Sequence, residues 1–243
     1  MIARVLYRDP LVLVLDKPAG MPVHPGPGGG LTVEHYADAL RFGLRHRPRL
    51  AHRLDRDTSG CLVLGRHPKA LRKLGRLFRS GRVEKVYWAV VHGRPPAAAG
   101  VVDAPLAKVT RARRSWWMRV DPEGRPAVTE YRLLAGDGTT SWLELRPRTG
   151  RTHQLRVHLA HIGCPILGDP VYGREDDRQG PMMLHARRIV LPLYPSRPPL
   201  VIEAPPPAHM RPYLERLAAA SDAETVARLG VELEHPAPTS ARG

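Results

Sequence analysis

Apolar runs along this chain are short and change period from one to the next. Leu11–Leu15 is continuously apolar and predicts a buried strand, stopped by Asp16-Lys17-Pro18-Ala19-Gly20. Residues 22–30, rich in Pro and Gly, read as a loop. Thr32 is placed to cap a helix running to about Leu44, with Val33, Tyr36, Leu40 and Leu44 as its apolar stripe. Cys61–Leu64 predicts a strand, and Pro68–Ser80 a helix stopped by Gly81, with Leu71, Leu74 and Phe78 inward. Lys69, Arg72, Lys73, Arg76 and Arg79 cover its outer face, the pattern of an ordinary solvated surface as much as of a nucleic-acid footprint.

Residues 85–91 alternate as a strand, Val86, Trp88 and Val90 on one face and Tyr87, Ala89 and Val91 on the other. A Pro-, Ala- and Gly-rich stretch and a basic segment (108–119) follow without a clear period. Strands at 128–134 and 142–146 flank a Gly-Asp-Gly turn, and Leu155, Leu159 and Ile162 mark a helix from about Thr152 to Gly163. Strands near 185–191 and 200–204 and a helix over 210–220 complete the pattern. The irregular alternation predicts an α+β fold, a mixed, mostly antiparallel central sheet with flanking helices, in one domain over 1–220 with a loose tail over 221–243.

Composition narrows the partner. Hydrophobic residues make up 42% of 243, enough for a core, and no apolar run reaches bilayer length. The first residues, MIARVLYRDP, lack the plan of a secretory signal, so a soluble cytoplasmic protein is expected. Cys61 and Cys164 are too few for a disulfide framework and read as buried reduced thiols. Lys and Arg outnumber Asp and Glu by 38 to 23, a net charge of +15, which points to a polyanion. Most of that charge is arginine, suited to gripping phosphate and stacking on bases.

Two segments concentrate chemistry. His52-Arg53-Leu54-Asp55-Arg56-Asp57-Thr58-Ser59-Gly60 sets a carboxylate among arginines, which favours the ionised form and suits a nucleophile or base. Asp57-Thr58-Ser59-Gly60 reads as a turn, and from the residues alone Asp55 stays undecided between salt bridge and catalyst. In the second segment Arg148, Arg151 and His153 flank a predicted helix N-terminus, a natural phosphate site, and Arg156 follows His153 by three residues. His153, His158 and His161 lack the cysteine or acidic partners of a metal site, so no metal is expected.

HRLDRDTSG closely resembles the signature of the RluA family of pseudouridine synthases. EKVYWAVVHG (84–93), residues 145–173 and MLHARRIVL (183–191) agree with that family in order and spacing, and the resemblance runs from about residue 7 to about 217. It implies the pseudouridine synthase catalytic fold, with a basic cleft for structured ribosomal RNA, transfer RNA or both, in a member without a preceding S4-like domain. It implies no cofactor, and nothing demands more than a monomer. Residue by residue, it makes Asp55 the catalytic aspartate, Tyr87 the active-site tyrosine and Arg156 the basic partner of the carboxylate. Arg53 falls where the family inserts an arginine into the RNA at the flipped base; His52, Arg148, Arg151 and His153 are further RNA contacts expected from the two segments. Two other readings fit the charge: an RNA-binding protein without activity, which has no need of Asp55, Tyr87 and Arg156 together, and a carboxylate hydrolase, which wants a second acid to activate water.

Overall fold

The computed structural model describes residues 1–25, 30–112, 115–177 and 180–221. In chain order the elements are β1 (Val5–Arg8), β2 (Val12–Lys17), β3 (Arg49–Leu50), β4 (Ser59–Gly65), α1 (Pro68–Arg79), β5 (Glu84–His92), β6 (Ala99–Asp103), β7 (Leu106–Ala112), β8 (Ser115–Val120), β9 (Val128–Gly136), β10 (Thr140–Pro147), α2 (Gln154–His161), β11 (Leu184–Leu191), β12 (Leu200–Glu203) and α3 (Arg211–Ala219). This is the α+β class expected from the patterning. The described residues gather in two compact units, Met1–Lys85 with Ala186–Pro207, and Val86–His185 with the residues from Ala208 onward. The predicted tail beyond Ser221 and residues 26–29 of the predicted loop lie outside the described residues.

In the first unit the strand order is β1-β2-β4-β11, with β3 added to β4 and β12 to β11. Val12–Leu15 and Ser59–Gly65 are buried throughout, which is why both read as continuous apolar runs instead of alternating ones. The strand predicted at Leu11–Leu15 continues through Lys17, which pairs with Gly60. Gly60 has φ +101°, and a Cβ there would stand 2.3 Å from the Ala186 carbonyl oxygen, so only glycine fits.

Helix α1 begins as its sequence dictates. Pro68 opens it, the His67 ring accepts the Ala70 N–H at 3.2 Å, and Gly81 closes it at φ +68°. It buries Ala70, Leu74 and Leu77, while Leu71 and Phe78, expected inward, are half-buried. The helix lies so close to β4 that a Cβ at Gly65 would stand 2.8 Å from the Leu71 Cα, so backbone proximity, not side-chain size, sets which face turns in.

The helix expected over 32–44 does not form as one element. Thr32 and His35 cap each other around a short 3-10 turn, Val33–Tyr36, and further turns follow. Phe42 and Gly43 both take positive φ, which ends any helical run.

In the second unit β5-β10-β9-β6 form an antiparallel sheet, and β7 and β8 pair as a separate hairpin. Trp88 of β5 and Trp142 of β10 meet edge to face at 4.8 Å, a contact worth about 1 kcal/mol beyond its burial. The hairpin sends Met118 and Val120 against the Leu106–Ala127–Val157 cluster, Val157 coming from α2. Strands β6, β7 and β8 escape the sequence pattern: β6 is a short Ala-Gly-Val-Val-Asp run, and the exposed Lys108 and Arg119 interrupt the apolar pattern of β7 and β8. Helix α3 buries Leu214 and Leu217. No helix among the described residues is long and apolar enough to cross a membrane. Cys61 and Cys164 are both buried, unbridged thiols, as the reduced reading expects.

Candidate active site

Asp55 sits in the loop between β3 and β4. Leu54 beside it is buried, Asp55 is half-buried and Arg53 is exposed. The loop is tight: the Asp55 carbonyl accepts the Thr58 N–H at 3.2 Å, and Arg56 pairs with Asp57 at 2.9 Å. Asp57 therefore belongs to the turn, as its neighbours predict. The His52 imidazole accepts the Val63 N–H at 3.0 Å and stacks on Phe78 at 4.6 Å. Burial, reinforced by the Lys85 charge, pushes its pKa down to about 3. It enters the loop as a neutral ring that fastens the segment to β4, not as a cation.

The residue that sequence reasoning missed is Lys17. Its side chain is fully buried at the end of β2, and its Nζ donates to the carbonyls of Pro18 and Met21 at 2.9 and 2.8 Å and of Arg56 at 2.8 Å. One ammonium thus ties the end of β2 to the residue after Asp55. Burial lowers the Lys17 pKa to about 8, and the charges of Asp57, Asp55 and Asp16 limit the fall. A lysine in a strand-ending Asp-Lys-Pro reads only as a stop signal, since its far partner is 39 residues on.

This geometry makes a prediction whose sign is fixed by linkage. Below pH 8 both folded and unfolded chains keep the Lys17 proton, and the burial penalty is present in full. Between pH 8 and 10.5 only the unfolded chain holds it, so this group's contribution to stability rises with pH. Wild type should gain up to about 3 kcal/mol on Lys17→Met across that window in denaturant titrations. No difference in pH dependence between the two would show that Lys17 is not titrating from this site. At neutral pH the global stability change should be small, because the lost penalty offsets three lost hydrogen bonds.

In the second unit Tyr87 lies on β5 opposite Leu145 of β10 and is half-buried. Arg156 is buried in α2, and its guanidinium makes a two-pronged pair with Asp169: Nε to Oδ2 and Nη2 to Oδ1, both 2.7 Å. Asp169 is wholly buried and also accepts the N–H groups of Val171 and Tyr172 at 2.9 and 3.0 Å. Burial pulls its pKa upward, but the hydrogen bonds and charge of Arg156, with those two amides, outweigh burial and hold the carboxyl below its usual range. The Tyr172 ring lies 5.0 Å from the Arg156 guanidinium, and its hydroxyl accepts the Met118 N–H at 2.8 Å and hydrogen-bonds His153 Nδ1 at 2.9 Å. Asp169 and Tyr172 were not among the sequence candidates. Their only local signal is Gly168-Asp169-Pro170, a turn whose aspartate caps the amides that follow.

The residues expected to form a phosphate site at the start of α2 have three different partners. Arg148 is held by Glu130, Arg151 donates to the Pro126 carbonyl at 3.0 Å, and His153 meets Tyr172. The helix starts at Gln154, with His153 as a left-handed cap at φ 53°, two residues after the start expected near Thr152. Gln154 closes the turn itself: its Oε1 accepts from the Arg151 N–H and the Thr149 hydroxyl, and its Nε2 donates to Val128 O and Thr129 Oγ1. His158 is buried, hydrogen-bonded to Thr129 Oγ1 at 2.9 Å and to the Ala104 carbonyl at 3.0 Å, a core histidine.

Known proteins share this arrangement of chain and fold. Residues 11–161 match the model of a family described as RNA pseudouridylate synthase. A Zymomonas mobilis protein named as an uncharacterized RNA pseudouridine synthase is 44% identical over 206 residues, 84% of this chain and 94% of that one. The ribosomal large subunit pseudouridine synthase D of Borreliella burgdorferi is 38% identical over 76% of this chain, which spans 60% of that protein's length. The solved structure of human RNA pseudouridylate synthase domain containing 4 superimposes with a TM-score of 0.74 at 30% identity, covering 89% of this chain and 93% of that one.

Proposed function

Because the chain belongs to the family of RNA pseudouridylate synthases, which are isomerases, we propose that it converts specific uridines of structured ribosomal or transfer RNA to pseudouridine, with Asp55 as the catalytic carboxylate. Ribosomal RNA is the first substrate to try, since relatives from three organisms carry ribosomal large subunit names. The observation that carries the assignment is the half-buried Asp55 in a loop whose next residue is pinned by the buried Lys17. A carboxylate held to that degree is pre-positioned, and pre-positioning supplies a large part of a barrier reduction.

The reaction conserves atoms. The N1–C1′ bond breaks, the uracil turns, C5 bonds to C1′, C5 loses its proton and N1 gains one. The target nucleotide first leaves its stack, which costs a few kcal/mol. Asp55 then acts on the sugar, either by attacking C1′ and being expelled when C5 bonds there, or by taking the C2′ proton to give a glycal and returning it to C2′ as C5 bonds to C1′. Tyr87 packs on the flipped uracil. Arg156, oriented by Asp169, takes the role of basic partner that the family resemblance gives it. Arg53, exposed two residues before Asp55, fills the space the base leaves.

The flipping role has a direct test. Arg53→Ala should lower the rate on a stem-loop substrate about tenfold more than on an unpaired strand of the same sequence, a difference near 1.4 kcal/mol. Equal losses on the two RNAs would remove the role. The inert RNA-binding reading loses ground to the family membership. The hydrolase reading predicts released uracil, which product analysis detects.

A further inference from the structure

The positive charge of this protein is unevenly neutralised. Several surface arginines stand beside acids: Arg4 with Asp16, Arg47 with Asp38, Arg132 with Glu144, Arg216 with Asp137. Helix α1 is different. No acidic residue occurs between Asp57 and Glu84, and those two acids are taken by Arg56 and Arg188. Arg72, Arg76 and Arg79 are exposed and have no acidic partner among the described residues. Spaced four and three apart, they share one face of α1 over roughly 10 Å of its length.

That face borders a groove of about 430 Å³ lined by the three arginines, Gly75, Leu50 and Ala51. Gly75 is a helix-interior glycine, a choice that sacrifices roughly 1 kcal/mol of helix stability relative to alanine. A Cβ there would stand 3.3 Å from Arg79 Nη1, so the glycine leaves that guanidinium room at the groove's edge. Leu50 and Ala51 lead directly into His52, Arg53 and Asp55. The groove therefore runs from an uncompensated arginine face to the start of the candidate catalytic loop.

We propose that this groove binds the phosphodiester backbone of the RNA strand adjoining the target uridine, with Arg72, Arg76 and Arg79 each meeting a phosphate. The inference rests on the RNA synthase reading and assigns α1 a part in it. Exposed guanidiniums on a short, open face suit a polyanion whose charges repeat along a line, and each contact releases counterions. The nearest alternative is that the last-turn arginines serve only the helix dipole, which accounts for Arg76 and Arg79 but not for Arg72 or Gly75.

The test uses C5-tritiated ribosomal RNA, so that filter retention and tritium release are read from one probe. The Arg72→Gln, Arg76→Gln, Arg79→Gln triple variant is compared with wild type and with a triple variant of acid-paired arginines, Arg4→Gln, Arg132→Gln, Arg216→Gln, which removes the same formal charge. Three lost phosphate contacts should reduce the slope of log K against log salt by about 2 to 3 for the α1 variant only. Two units of slope correspond to about 100-fold weaker binding at 0.1 M than wild type, relative to 1 M salt. Gly75→Glu should weaken retention in the same direction while leaving the melting temperature level or higher, because it adds a helix former and a carboxylate among three arginines. Equal slopes for the two triple variants, or unchanged retention by Gly75→Glu, would overturn the groove. Loss of slope in the α1 variant with no tritium released by wild type would uphold the groove and count against the isomerase reading on this RNA.

Discussion

Asp55→Asn should bind RNA within about threefold of wild type and turn it over at least about 10⁴-fold more slowly, the scale seen when a group that acts directly on the reacting bond is removed. The substitution keeps the size of the side chain, and the hydrogen bonds that fix the loop run through main-chain groups and neighbouring side chains. Lys17 still holds the Arg56 carbonyl, His52 still accepts from Val63, and the Thr58 N–H still reaches the Asp55 carbonyl. An amide can neither attack C1′ nor remove the C2′ proton, so both routes stop at once. Single-turnover kinetics with saturating enzyme separate binding from chemistry. A variant that retains turnover within tenfold of wild type would take Asp55 out of the catalytic role.

The second large effect falls on stability. Asp169→Asn should destabilise the fold by about 3–5 kcal/mol, because it leaves the Arg156 charge buried against a neutral group. Arg156 and Asp169 are 4% and 0% exposed, so water cannot make good the loss. The pair also has a pH signature. The Asp169 carboxyl titrates below its unfolded value of 3.8, so its contribution is fully present above that pH and is lost as pH falls through the folded pKa. Wild type should therefore lose stability on Asp169→Asn as pH drops below about 4, and the two denaturation midpoints should converge. A variant as stable as wild type at pH 7 would show that the pair orients Arg156 without supporting the fold. Turnover by that variant, measured where it remains folded, would then report on orientation alone.

Much of the framework was legible because it is local. The buried runs at Val12–Leu15 and Cys61–Leu64 announce strands by composition, and α1 announces itself by Pro68 at one end and Gly81 at the other. The helix expected over 32–44 gave way to a short 3-10 turn and further turns ending at Phe42, a positive-φ residue that no local propensity marks. The β7–β8 hairpin was hidden because its inward residues, Met118 and Val120, are recognisable only once Val157 of α2 lies against them.

The candidate site divides the same way. Asp55, Tyr87 and Arg156 are assigned through motif resemblance, which carries information that no spacing argument supplies. Lys17 and Asp169, the residues that fix the loop and the guanidinium, were missed because their roles consist of partners distant in sequence. Lys17 reaches a carbonyl 39 positions away, and Asp169 a guanidinium 13 positions back. A buried lysine among carbonyls and a buried aspartate on an arginine are invisible until the chain is folded. Both classes are nonetheless strongly constrained, since an unpaired buried charge is among the costliest features a fold can contain.

The central claim is isomerisation, and the most direct measurement is proton release from uridine C5. Wild-type protein is incubated with C5-tritiated ribosomal RNA and, separately, transfer RNA, and the RNA is then digested to nucleosides. Tritium release equal to the pseudouridine formed, with RNA of unchanged length and no free uracil, is the expected result. Free uracil, shortened RNA, or no release from either RNA despite tight binding would contradict it.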